Sequence, residues 1–291
     1  MTLSGLLIID KPVGPTSHDV VARVRRAAGT RRVGHAGTLD PLAGGVLLVC
    51  IGRATRLVEY LVGLDKEYET TLRLGQSTNT YDAEGEVTAE RPVVVDATAI
   101  AAALDGFRGP IRQRVPSFSA VKRDGRPLYQ SARRGEQVEL PEREVTIYTL
   151  DLLAYEPPLL TLRMAVSSGT YVRSLAQDLG QALGCGGHVV ALRRTRVGRF
   201  AESEAVALDA LTPETLPGRL LMPETAVAHL PRVEFDEAAA AELGFGRRVP
   251  ARPDSPAGDA AAFGPNGRFI GIVAAEAGEW RARKIMSAGD D

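Results

Sequence analysis

The stretch KEYETTLRL, residues 66–74, decides the fold class. Tyr68, Thr70, Leu72 and Leu74 fall on one side of a period-two pattern, and Glu67, Glu69 and Arg73 fall on the other. This alternation marks a β-strand with one face on a core and the other toward water. Two more strand-like runs, VTIYTLDLLAY (145–155) and LLTLRMAV (159–166), stand close enough together to form a hairpin. Toward the N-terminus, Leu6–Ile9 and Val46–Ile51 read as short apolar strands. Helical spacing occupies fewer segments. Ser17 is the expected cap of a helix whose Val20, Val21, Val24, Ala27 and Ala28 share a face, with Gly29 as its stop. Asp96 caps the run ATAIAAAL, and a third helix is expected from Arg173 to Leu183, ending at Gly184. Strands outnumber helices, and hairpin neighbours prevail over regular strand–helix alternation. The expected class is α+β with a mixed, mainly antiparallel sheet.

With 291 residues, 44% of them hydrophobic, the chain can bury a large core. The expected division is a domain over 1–230, containing an arginine-rich insertion at about 108–144, and a small β-rich domain over 231–291. The proline-rich, acidic stretch 212–232 reads as the linker between them. The apolar run Val46–Ile51 is far short of the roughly 20 residues a membrane span needs. The start, MTLSGLLIIDK, has no signal-peptide pattern, so the expected location is the cytoplasm, without a membrane. Cys50 and Cys185 have no metal-ligand spacing, and Cys50 reads as a buried thiol.

The net charge of −1 hides a segregated distribution. Residues 1–60 carry eight Lys/Arg against four Asp/Glu, and residues 108–144 carry nine against five. Arg193, Arg194, Arg196 and Arg199 form a basic knot, whereas residues 201–243 hold nine acids and two arginines. Such a chain can present a basic face to phosphates despite near-neutrality.

The glycine-rich segment GHAGTLDPLAGG (34–45) places Asp40 directly before a proline. Two readings stand side by side. Asp-Pro is a common helix cap with proline at the first helical position, and Gly44–Gly45 suits a tight turn. Alternatively, a lone carboxylate is a nucleophile if a cation keeps it ionised and aimed. No second acid lies in the segment, which argues against a paired-carboxylate glycosidase, and no Gly-Lys-Ser/Thr follows, which excludes a phosphate loop. A cation is available in SSGTYVRSLAQDLG (167–180), where Tyr171 and Arg173 open a helix. Alone, Arg173 also fits a surface ion pair, Tyr68 and Tyr171 fit packed aromatics, His35 fits a solvated loop, and Lys11 fits a strand end or a phosphate contact.

Five segments occur in one order: DKPVGPTSHDVV (10–21), GHAGTLDPLAGG (34–45), DKEYETTLRLGQSTNTYDAEGEV (65–87), SSGTYVRSLAQDLG (167–180) and GCGGHVVALRRT (184–195). Together they resemble the TruB family of bacterial tRNA pseudouridine-55 synthases. The resemblance implies an isomerase that flips a T-arm uridine of tRNA and converts it to pseudouridine. It implies a catalytic Asp40, an Arg173 that pairs with it, and a Tyr68 that stacks on the uracil and is a candidate for proton abstraction. It places His35, Tyr171 and Leu192 in the base pocket, and Lys11 and Pro12 as braces of the catalytic loop. It further implies no cofactor, no metal and no required protein partner, hence a stand-alone monomer. The insertion, with Lys122, Arg123, Arg126, Arg133 and Arg134, would grip the T-arm, with Arg193 and Arg194 as further tRNA contacts. The C-terminal part would be a PUA-like RNA-binding domain. The rival readings are a non-catalytic tRNA-binding or folding module, a guide-RNA-dependent synthase, and a nucleoside or glycoside hydrolase.

Overall fold

The computed structural model describes residues 3–286, apart from 120, 124, 135, 137 and 138. In chain order the first strands and helices are β1 (Gly5–Lys11), α1 (Ser17–Ala28), β2 (Val33–Ala36), β3 (Ala43–Ile51), α2 (Val58–Val62) and β4 (Lys66–Leu74). There follow β5 (Gln76–Thr78), β6 (Val87–Glu90), α3 (Ala97–Asp105), β7 (Gly109–Arg114), β8 (Lys122–Arg123), β9 (Arg126–Pro127) and α4 (Leu128–Arg133). The chain returns through β10 (Glu142–Glu156), β11 (Leu159–Val166), α5 (Val172–Ala182), β12 (Gly187–Val197), β13 (Phe200–Ala201) and β14 (Val206–Ala207). The C-terminal part holds β15 (Arg232–Glu234), α6 (Glu237–Gly244), β16 (Val249–Pro250), β17 (Asp259–Phe263), β18 (Phe269–Glu276) and β19 (Glu279–Ile285).

A ten-stranded sheet runs β14-β1-β3-β12-β4-β11-β10-β7, with β2 added on β3 and β13 on β12. Its parallel pairings are β1 with β14 and β12 with β3, and the rest are antiparallel. The mixed, mainly antiparallel sheet read from the sequence is therefore present. Strand β4 shows the expected alternation, with Lys66, Tyr68, Thr70, Leu72 and Leu74 all buried. Lys66 tolerates burial because its ammonium donates to the carbonyls of Val62 (2.6 Å) and Leu64 (2.5 Å) at the end of α2.

Strands β1 and β3 are apolar on both faces because both faces are covered. Leu7, Ile9, Leu47, Val49 and Ile51 join a core with Val20, Val21 and Val24 of α1. Leu6, Ile8, Val46, Leu48 and Cys50 face the other way and pack with Leu57, Leu61, Ala261, Phe263 and Ile272. The second core thus includes the C-terminal β-rich domain, a five-stranded sheet ordered β15-β17-β18-β19-β16. Burial raises the Cys50 thiol to about 12, so this sulfur is an inert packing group. Among the described residues no helix is long and apolar enough to cross a membrane.

Two local expectations are corrected. The cap of α1 is Thr16 rather than Ser17: Thr16 Oγ1 accepts from the Asp19 N–H at 3.1 Å, and the Asp19 carboxylate accepts from the Thr16 N–H at 2.9 Å. The stretch 212–232 is no loose linker. Leu216, Ala226 and Val227 are fully buried, and Leu221 exchanges backbone hydrogen bonds with Leu6 of β1 at 3.0 and 2.9 Å.

Candidate active site

Asp40 stands at the first position of a turn, its carbonyl accepting from the Ala43 N–H at 3.0 Å. Strand β3 begins at Ala43, so no helix follows and Asp40 caps none. Gly44 and Gly45 lie in that strand rather than in a turn. Gly45 has φ of 97°, and a Cβ there would stand 2.2 Å from the Arg194 carbonyl oxygen on β12. Only glycine permits this approach of the two parallel strands.

The loop carrying Asp40 is bolted from several directions. Ser17 Oγ accepts from the Leu39 N–H at 2.8 Å and donates to the Leu39 carbonyl at 3.0 Å. Lys11 Nζ donates to the carbonyls of Ala43 (2.6 Å), Pro12 (3.0 Å) and Pro41 (3.5 Å). The Gly14 N–H reaches the same Pro41 carbonyl at 2.8 Å. From the other side, Arg194 donates through Nε to Val46 O at 2.8 Å and through Nη2 to Gly37 O at 3.1 Å. Lys11, Ser17 and Arg194 are all at most 1% exposed, so these bonds form where water cannot replace them. Burial lowers the Lys11 ammonium to about 8, partly offset by the neighbouring Asp40 charge.

Arg173, 5% exposed on the first turn of α5, closes the site. Its Nε lies 2.9 Å from Asp40 Oδ2, and its Nη1 lies 3.4 Å from Asp82 Oδ2. Nη1 also donates to Thr80 O at 3.1 Å, and Nη2 to Phe118 O at 2.9 Å. One guanidinium therefore ties together the Asp40 loop, the Thr80–Asp82 segment and the start of the insertion. Asp82 is itself buried, its Oδ1 accepting from Thr80 Oγ1 at 2.6 Å and from the Glu84 N–H at 3.1 Å.

The Asp40 side chain keeps 36% of its surface open, so it faces out of a recess rather than being sealed in. Burial of its surroundings pushes its carboxyl above the ordinary carboxylate value. The Arg173 charge pulls it down, and the Asp82 charge pushes it up again. Arg173 thus opposes the rise without cancelling it.

The other expected residues lie on β4, β12 and β2 and just before α5. Tyr68, 8% exposed, and Leu192, 9% exposed, belong to the same packed cluster as Leu39, Leu42 and Val172. His35 lies on β2 with its ring edge-on to His18, centroids 5.5 Å apart. Burial and the charges of His18 and Arg194 lower its pKa, and its Nδ1 is buried without a hydrogen-bond partner among the described residues. Tyr171 immediately precedes α5, and Gln113 clamps its backbone: Gln113 Oε1 accepts from the Tyr171 N–H at 2.9 Å, and Nε2 donates to Tyr171 O at 3.0 Å.

Comparison with known proteins identifies the family. Residues 25–172 match the family described as "TruB family pseudouridylate synthase (N terminal domain)". Residues 173–228 and 230–284 match "tRNA pseudouridylate synthase B C-terminal domain" and "tRNA Pseudouridine synthase II, C terminal". The chain belongs to the TruB family. It is 46% identical over 279 residues to "tRNA pseudouridine synthase B" of Pseudomonas aeruginosa (strain UCBPP-PA14), covering 93% of this chain and 91% of that one. It is 48% identical to the protein of the same name from Arthrobacter sp. (strain FB24), covering 94% and 93% of the two chains. Among solved structures, it resembles a chain of an H/ACA RNP bound to a substrate RNA containing 2'-deoxyuridine. That likeness has a TM-score of 0.74 at 26% identity, over 98% of this chain and 85% of that one.

Within this TruB-family frame the expected basic contacts divide. Arg194, read as a tRNA contact, is 1% exposed and spends its guanidinium on loop carbonyls, so it is a brace and not an RNA contact. Arg193, its neighbour on β12, points outward but is already paired with Glu202 (2.7 Å) and Asp10 (3.1 Å). The basic knot dissolves in three dimensions: Arg196 pairs with Glu67 at 3.2 Å, and Arg199 lies over Phe200. Arg126 and Arg134 are exposed, the latter 3.8 Å from Glu136, while the side chains of Lys122, Arg123 and Arg133 lie outside the described residues. Lys11 Nζ donates to the carbonyls of Ala43 and Pro12, on either side of the loop it is expected to support. Sequence reading missed Asp82 and Gln113, whose partners Arg173 and Tyr171 come from a distant part of the chain.

Proposed function

We propose that this protein isomerises a uridine in the T-arm loop of tRNA, position 55, to pseudouridine, with Asp40 as the catalytic group. The observation that carries the reading is the Asp40–Arg173 pair at 2.9 Å, on a loop bolted by Lys11, Ser17 and Arg194. The family and the names of the relatives support the substrate class. In the reaction the N1–C1′ bond breaks and the C5–C1′ bond forms, while a proton leaves C5 and another joins N1. Atoms and electrons balance within the nucleotide. An ionised Asp40 facing the sugar either adds to C1′ or removes the 2′ proton, and both routes need the carboxylate fixed and charged. Extruding the uridine costs a few kcal/mol, which stacking on Tyr68 and burial beside His35, Tyr171 and Leu192 offset. Tyr68 is also the candidate to take the C5 proton.

In this reading residues 1–230 form the catalytic domain, with the insertion at about 108–144 gripping the T-arm, and residues 231–291 form a PUA-like RNA-binding domain. The second sheet, which starts at Arg232, supports that boundary. The enzyme would act as a monomer in the cytoplasm without a protein partner. Purified protein is expected to convert one T-loop uridine of unmodified tRNA, mapped by carbodiimide-dependent primer extension. Asp40→Asn is expected to abolish conversion while holding tRNA affinity within about tenfold, or roughly 1.4 kcal/mol. Undiminished conversion by that variant would overturn the assignment.

A further inference from the structure

Three arginines, Arg112, Arg114 and Arg143, lie on the antiparallel pair formed by edge strand β7 and β10. Register separates them. Arg112 is opposite Glu144 and Arg114 is opposite Glu142, so each has an acid as its cross-strand neighbour. Arg143 is opposite the uncharged Gln113. Residues directly opposite share a face, and Gln113 uses that face to clamp the Tyr171 backbone. Arg143 therefore projects toward the active site. Its guanidinium carbon stands 5.6 Å from the centroid of the Tyr171 ring. A Cβ added at Gly169, where φ is 88°, would stand 3.3 Å from Arg143 Nη1. A glycine at that position thus leaves room for the guanidinium to lie along the strand-to-helix turn.

Arg143 is half-buried, and among the described residues no carboxylate pairs with it. Other arginines of the same sheet domain are already engaged: Arg173 and Arg194 donate to carbonyls inside the protein, Arg108 is bonded to Asp105, and Arg163 to Glu69. A planar cation laid on an aromatic ring with its donors unspent suits bidentate capture of a phosphate. Lys11 cannot supply this charge, because it is fully buried and turned onto the loop carbonyls.

We propose that Arg143 binds a backbone phosphate flanking the target uridine and so positions the flipped nucleotide against Tyr171 and Asp40. This inference rests on the uridine-isomerising reading above. Arg143 acts on substrate placement, distinct from the Asp40 chemistry.

The test uses the full-length protein and a T-arm RNA hairpin carrying a single methylphosphonate, placed in turn on either side of the target uridine. The adjoining 2′-hydroxyl is methylated, and a hairpin with that methylation and ordinary phosphates is the control. With wild type, one neutral linkage is expected to lower kcat/KM by tenfold or more. Arg143→Gln is expected to cause a similar loss on the control hairpin, and Arg143→Lys a smaller one. The two lesions combined should cost little more than either alone, because both delete the same contact. The slope of log binding constant against log salt should shrink by about 0.7, the value for one phosphate contact on single-stranded RNA. Additive losses, or an unchanged salt slope in a folded Arg143→Gln variant with reduced turnover, would overturn the proposal and leave Arg143 as a mere support of Tyr171. Failure of wild type to convert the control hairpin, and intact tRNA alongside it, would instead strike the functional reading itself.

Discussion

The arginines of the Asp40 site and those of the C-terminal sheet belong to one residue type but are held in opposite ways. Around Asp40, Arg173 and Arg194 are at most 5% exposed, and each donates to two backbone carbonyls. On the C-terminal domain, Arg232, Arg247, Arg248, Arg281 and Arg283 are 41–66% exposed and pair with acids across the surface, Arg283 with both Glu276 and Asp259. The first group is irreplaceable by water, whereas the second competes with it at every moment. Ion pairing therefore fixes geometry only where solvent is excluded. The Asp40 loop is bolted by buried donors, whereas the C-terminal sheet carries these arginines in exposed pairs.

Three substitutions would break or sharpen this contrast. The largest effect is expected at Arg194→Ala, which strips donors from the buried carbonyls of Gly37 and Val46 and leaves a void beneath the loop. Stability should fall by on the order of 3 kcal/mol in denaturant titration. Turnover per folded molecule should fall with it, since the Asp40 loop loses its support; full activity in the folded fraction would show that the loop holds itself. Next is Asp82→Asn. With Asp40 in its proposed role as a carboxylate, activity is expected to be lost as pH falls through its raised pKa. Removing the Asp82 charge takes away one cause of that rise, so the acid limb of kcat should move to lower pH. A limb that stays in place, or moves up, would show that Asp82 does not set the Asp40 charge. The smallest effect is expected at Arg248→Gln, which breaks the exposed pair with Glu279 at 3.2 Å. Stability should change by less than about 1 kcal/mol with kcat unaltered. A loss comparable to that of Arg194→Ala would erase the distinction.

The sheet was legible because burial leaves a period-two trace, as in Tyr68, Thr70, Leu72 and Leu74. The same rule could have separated Arg193 from Arg194. On a strand continuing from buried Leu192, the next residue points out and the one after it points in. Grouping those arginines by charge hid that alternation. The Thr16 cap was within reach too, since Asp19 three residues on completes a reciprocal box that Ser17 lacks. Proline and acid content misread 212–232, because composition does not register that Leu216 and Leu221 have partners on the sheet. Asp82 was not legible by any local rule. Its meaning comes from Arg173, which the fold brings alongside from a remote segment.

The shared core behind β1 and β3 also matters to the order in which the molecule is made. Leu6, Ile8, Leu48 and Leu61 emerge early, but Ala261, Phe263 and Ile272, which help to cover them, come much later in the chain. About 200 residues separate Leu61 from Ala261. At a synthesis rate of about 5–20 residues per second, that oily face waits on the order of 10–40 s for its lid. The C-terminal sheet is thus the last cover laid on this face of β1 and β3 during translation, and a chain stopped before β17 would leave that apolar face open.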